Sequence, residues 1–127
     1  MKKEKIHLEY VFEKASKSTL WNHLTTSSGL SAWFAEDVLI KENNYSFIWN
    51  KTPMEAQLLA ISPNNKVRFK WMEDENPDSY FEFKLHTDEL TRALVLEITD
   101  FVESSEKEDI LALWNSQVGE LKRILCI

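Results

Sequence analysis

The stretch "LWNHLTTSSGLSAWFAEDV", residues 20–38, decides how the rest of the chain is read. Leu20, Trp21 and Leu24 stand at i, i+1 and i+4, the spacing that gathers apolar side chains on one helical face. After Gly29, Leu30, Trp33 and Phe34 stand at i, i+3 and i+4, again on one helical face. Ser16 or Ser18 supplies an N-cap for the first helix, and Gly29 is expected to end it in the left-handed conformation, opening a second short helix over "LSAWFAE". Two short, angled helices with this much apolar surface need a broad face to cover.

The flanking sequence supplies one. Upstream, Ile6, Leu8, Tyr10 and Phe12 alternate with His7, Glu9 and Glu13, the period of a half-buried strand. Downstream come "DVLIKE", "YSFIW", "MEAQLLAI", "KVRFKW", "SYFEFKLH" and "RALVLEITDF", separated by Asn43-Asn44, Lys51-Thr52-Pro53, Ser62-Pro63-Asn64-Asn65, "EDENPD" and Thr87-Asp88-Glu89. These runs predict seven strands in sequential hairpin connection. Their inward sides are Tyr45, Phe47 and Trp49; Ala56 and Leu58; Val67, Phe69 and Trp71; Phe81, Phe83 and Leu85; and Leu94, Leu96 and Ile98. The period then returns to that of a helix. Ser105 followed by Glu108 fits a capping box, Lys122 and Arg123 suit the last turn, and Ile110, Trp114, Val118, Leu121 and Leu125 form one stripe.

The expected fold is α+β: a curved seven-stranded antiparallel sheet, two short helices after the first strand, and a long C-terminal helix packed on the concave face. At 127 residues, with 43% hydrophobic and 28% charged, the chain suits one domain with one core. A net charge of -6 lacks the basic footprint that nucleic acid requires. No apolar run reaches the roughly 20 residues that span a bilayer, and none follows the N-terminal lysines as a signal peptide would require; a cytoplasmic location is expected. The single cysteine, Cys126, reads as a small apolar residue on a helix end.

His7, His23 and His86 share no ligand spacing, so no metal or other cofactor is expected. "EDENPD" lacks the spaced ligands of a calcium loop and reads as a solvated hairpin tip. No serine sits in a nucleophile-elbow setting, and the alternation turns Glu55 and Glu97 outward, so no catalytic residue is assigned. Five tryptophans remain, which serve as core, as the lining of an apolar cavity, or as both.

Three segments carry a family resemblance. The run of residues 20–38, "ISPNNKVRFKW" at 61–71 and "TRALVLEITDF" at 91–101 resemble the START-like, or helix-grip (SRPBCC, pollen-allergen-like), superfamily, and within it the activator-of-heat-shock-ATPase homology branch. The resemblance covers nearly the whole chain, residues 1–127. Relatives carry glycines in the second hairpin and near the start of the last helix, where this chain has Asn43-Asn44 and "ILALWNSQ".

The resemblance implies a cavity between sheet and terminal helix, and hence a non-enzymatic domain that binds a small hydrophobic ligand. Trp49, Trp71 and Trp114 are the lining candidates, with Tyr10, Phe47, Phe69, Phe83, Val118 and Leu121 around them and Trp33 and Phe34 at the mouth. The alternative is a protein-interaction module of the chaperone co-regulator type, docking near Trp33 and Phe34. A cyclase- or hydratase-like enzyme is the third reading, with only Tyr10 and Tyr45 as inward titratable hydroxyls. The domain is expected as a monomer or homodimer.

Overall fold

The computed structural model describes residues 3–125, so Cys126 lies outside the described residues. Strand β1 (Glu4–Phe12) leads into helices α1 (Lys17–Thr25) and α2 (Ser27–Leu30). Strands β2 (Asp37–Lys41), β3 (Asn44–Trp49), β4 (Thr52–Ser62), β5 (Lys66–Trp71), β6 (Phe81–Thr87) and β7 (Leu94–Val102) follow, and helix α3 (Lys107–Ile124) ends the fold. The seven strands form one antiparallel sheet in the order β1-β7-β6-β5-β4-β3-β2. The α+β architecture is therefore the expected one.

The hairpin sequence holds only from β2 to β7. Strand β1 pairs with β7, with Leu8 opposite Ile98 and Tyr10 opposite Leu96, so the two short helices carry the chain from one sheet edge to the other. The expected inward residues do face one side, and Phe47, Ala56, Val67, Phe69, Phe83, Leu96 and Ile98 are fully buried there. Between Leu58 and Ala60 the pairing of β4 with β5 shifts by one residue, a bulge that bends a strand and adds twist.

Gly29 does something other than expected. No glycine has positive φ; Gly29 lies inside α2, and residues 31–34 are turns rather than a second longer helix. Thr26 ends α1 and starts α2: its amide donates to the Asn22 carbonyl, and its hydroxyl oxygen accepts from the Gly29 amide at 3.0 Å. A Cβ at position 29 would stand 2.1 Å from the Asn22 carbonyl oxygen and 2.6 Å from the His23 Cα, so the glycine permits the two helices to touch. The carbonyls left at the end of α1 are bonded by side chains: Trp33 Nε1 donates to His23 O at 2.7 Å and the Tyr45 hydroxyl to Thr25 O at 3.0 Å. Trp33 is consequently a core residue, 6% exposed.

Other turns differ in detail. In the β2–β3 hairpin the left-handed residue is Glu42 (φ 55°), not an asparagine; Asn44 already belongs to β3. The β3–β4 hairpin turns on Asn50 and Lys51, both left-handed, and Thr52 and Pro53 are strand residues. The capping box of α3 does not form, because Ser104–Glu106 make a 3-10 turn and Glu106 precedes the helix without a side-chain cap bond. Glu108 and Asp109 still occupy the first turn and Lys122 and Arg123 the last, as the helix dipole favours. Helix α3 buries Trp114, Val118 and Leu121 against the sheet.

Candidate functional site

Where the N-terminal half of α3 crosses the sheet, its contact is incomplete. Ile110, Leu113, Trp114 and Gln117 of the helix face Trp49, Met54, Trp71 and Phe81 of the strands across an open cleft of about 420 Å³, with Phe34 at its floor and Asp100 at one end. The walls are almost wholly apolar. Two contacts prop the cleft: Trp49 Nε1 and Gln117 Nε2 both donate to the Phe34 carbonyl, at 3.0 and 2.9 Å.

The eleven residues expected as a lining divide into three groups. Phe34, Trp49, Trp71 and Trp114 border this cleft together. Phe47, Phe69, Phe83, Val118 and Leu121 are at most 1% exposed and lie in the core beneath it, the phenylalanines in ring-to-ring contact, such as Phe47 with Phe69 at 6.0 Å. Tyr10 and Trp33 lie apart from the cleft: the Tyr10 hydroxyl donates to Asn115 Oδ1 at 2.5 Å, and Trp33 is closed in by Phe34 and Phe83. Trp33 therefore does not stand at a mouth, and Phe34, 4% exposed, is a floor rather than a gate.

The polar group that sequence reading missed is Asp100. It sits two residues beyond Ile98 on β7, directly opposite inward-facing Ile6, so the alternation used for Leu94, Leu96 and Ile98 already aims it into the apolar layer. Burial pushes its carboxyl above the ordinary aspartate range, although Trp114 Nε1 at 3.0 Å and the Phe101 amide at 2.8 Å both donate to it. Burial also raises the Tyr10 and Tyr45 phenols. The alternation proved right for Glu55 and Glu97, which both point away from the cleft, Glu55 to Asn44 and Glu97 to His7.

Asp100 also borders a smaller hollow of about 260 Å³ that contains Lys3, Asp74, Ser79 and Tyr80. Here the "EDENPD" segment is more than a solvated tip. Burial pulls the Asp74 carboxyl upward, but the Ser79 hydroxyl, the Lys3 ammonium and the Asn76 amide outweigh it and hold the group at about 2. Lys70 Nζ donates to the Ser79 carbonyl and hydroxyl at 3.0 and 3.1 Å, fastening the loop to β5.

These two aspartates act on stability with opposite sign. Asp74, depressed from 3.8, stabilises the fold above pH 4, and that contribution is lost as pH falls from about 4 towards 2. Asp100, raised, holds its proton more tightly when folded, so it costs stability as pH rises through its folded value. Urea denaturation across pH 2.5 to 7 will show a shallower acid loss for Asp74→Asn than for the parent. For Asp100→Asn the gain relative to the parent will grow from acid to neutral pH; a gain that shrinks instead would mean that Asp100 is not the raised group.

The sheet also joins residues that are remote in sequence. On the face opposite the cleft, His7 Nε2 and His86 Nδ1 contact the two oxygens of Glu97, at 3.0 and 2.7 Å. Sequence spacing could not show this, because three strands supply the groups.

A family model of the START-like superfamily domain matches residues 1–127. The solution structure of BfR322 from Bacteroides fragilis is similar at 46% identity over 98% of this chain and 93% of that one, with a TM-score of 0.68. The Aha1 dimer from Colwellia psychrerythraea is similar at 20% identity over 94% of this chain and 93% of that one, TM-score 0.75. BH1534 from Bacillus halodurans is similar at 21% identity over 98% and 99%, TM-score 0.74. These last two likenesses speak for the fold alone. No curated protein matches. Among the described residues no helix is long and apolar enough to cross a membrane. With its full length matched and a neighbour at 46% identity, the chain belongs to the START-like superfamily.

Proposed function

We propose that this domain is a non-enzymatic carrier that binds a small apolar molecule in the cleft between α3 and the sheet. The observation that carries the reading is the cleft itself: about 420 Å³, walled by Trp49, Trp71 and Trp114, with Asp100 and Gln117 as its polar groups. That volume falls in the range of small-molecule sites, and desolvation of a flat or chain-like apolar body between indoles drives the binding. A hydrogen-bond donor at one end of the ligand would meet Asp100.

The rival roles find less support. Docking of a protein partner through Trp33 and Phe34 has no exposed apolar surface to use, since both are buried. For an enzyme, the Tyr10 and Tyr45 hydroxyls are each committed to a protein acceptor and neither borders the cleft, while Asp100, which does border it, already accepts from Trp114 Nε1 and the Phe101 amide.

The test is native mass spectrometry of freshly purified protein against its denatured mass, with Leu113→Arg as the companion variant. Leu113 is 52% exposed on the cleft rim, so the charge obstructs the cleft while the fold is kept. An extra mass on the parent, lost on denaturation and absent from Leu113→Arg, is expected. A clean mass for both, with tryptophan emission unchanged on adding lipids, sterols or aromatic polyketides, would sink the proposal.

A further inference from the structure

We propose a second site, unrelated to the cleft, on the outer face of the sheet: a divalent transition-metal site in which His7, Glu9 and Glu97 hold a zinc-type cation. His7 and Glu9 are two residues apart on β1 and so share a face; Glu97 on β7 is the direct partner of Glu9 and the diagonal neighbour of His7. One ligand atom from each of the three lies within 4.8 Å of the others. Donor atoms around a single zinc stand roughly 3 to 3.5 Å apart, given bonds of about 2.0–2.2 Å. His7 Nε2 and Glu97 Oε1, at 3.0 Å, already have that separation. His7 and Glu9 are exposed strand residues, so closing the set takes side-chain rotation and no change of register.

Three features make this more than a chance grouping of surface charge. Glu9 and Glu97 face each other directly across an antiparallel pair, an arrangement that repels when both are ionised. A dication between them turns that repulsion into attraction. Glu9 makes no side-chain hydrogen bond or ion pair among the described residues, and its carboxylate is therefore available.

The third feature is His86. Its Nδ1 stands 2.7 Å from Glu97 Oε2, the oxygen turned away from His7. As donor to that oxygen it fixes the carboxylate plane and leaves Oε1 for the ion, the supporting role that outer partners play around metal ligands. His86 is thus a positioning residue. When the ion binds, His7 Nε2 changes from donor to ligand, either by releasing its proton or by shifting it to Nδ1. One imidazole and two carboxylates suit zinc or cobalt, whereas magnesium and calcium prefer sites made of oxygen alone. Water completes the coordination.

The experiment is calorimetric titration of the metal-free full chain with Zn²⁺ and with Co²⁺, followed through Co²⁺ absorption and the imidazole NMR signals of His7. One ion per chain is expected, with the His7 signals moving and an excess of Mg²⁺ failing to compete. His7→Ala and Glu97→Gln should each weaken binding by at least about 10-fold, and His86→Ala by about 10-fold through loss of orientation. All three side chains lie on the solvent side, and unchanged metal-free melting of the variants will verify that the fold persists. Absence of saturable Zn²⁺ binding would overturn the proposal. So would binding that His7→Ala and Glu97→Gln leave intact, which would put the ion elsewhere, for example in the 73–78 loop.

Discussion

Phe34→Ala will lose about 4 kcal/mol of unfolding free energy, the range found when a buried phenylalanine is truncated. Phe34 touches six aromatic rings, at centroid distances from 5.0 Å to Phe47 to 5.9 Å to Phe81, and lies nearly parallel to Trp114 at an interplanar angle of 18°. Each such pair adds roughly 0.5–1.5 kcal/mol to plain area burial. Removing the ring therefore costs contacts from α3, β3 and β6 at once, against a total stability that for a domain is only about 5–15 kcal/mol. Urea denaturation measures the loss, and near-ultraviolet circular dichroism should weaken as Trp49 and Trp114 lose a fixed neighbour. A loss under about 1 kcal/mol would show that Phe34 does not tie the helix to the sheet.

Gly29→Ala comes next, with an expected loss of about 3 kcal/mol and a fall in Tm of about 10 °C. Helix propensity alone would make alanine the better residue, by about 1 kcal/mol. Space decides otherwise. The added carbon would stand 2.1 Å from the Asn22 carbonyl oxygen, which Thr26 holds through both its amide and its hydroxyl, so α1 and α2 must separate. Gly119 is the matched control. It is helical in α3 with nothing within 4 Å of its Cβ position, so Gly119→Ala should stabilise by up to about 1 kcal/mol. Opposite signs at the two glycines separate packing from propensity; a stabilising Gly29→Ala would mean that the helices part at little cost.

The cleft shows where reading by pattern stopped. Alternation correctly turned Phe47, Phe69 and Phe83 inward, but inward-facing is not the same as lining. These rings meet one another and fill the layer, while Trp49 and Trp71, near the ends of their strands, reach the gap under α3. Asp100 was legible by the same rule and lies just one step past the last apolar residue of its strand's series. Met54, Leu113 and Gln117 border the cleft because of where α3 crosses the sheet, which no local pattern records.

Whereas the second short helix formed over Ser27–Leu30 and not over the "LSAWFAE" run, pattern in the sequence was enough for most elements: a period of two in seven segments, a period near 3.6 in the last, and a short helix after the first strand. Periodicity suffices there because each side chain's direction follows from its own backbone. Tertiary structure alone decided that β1 pairs with β7, that Gly29 is a point of helix contact, and that Glu97 meets two histidines from different strands. Those outcomes depend on distances between segments remote in sequence, His7 and Glu97 being 90 residues apart, set by how the layers pack rather than by any short run of residues.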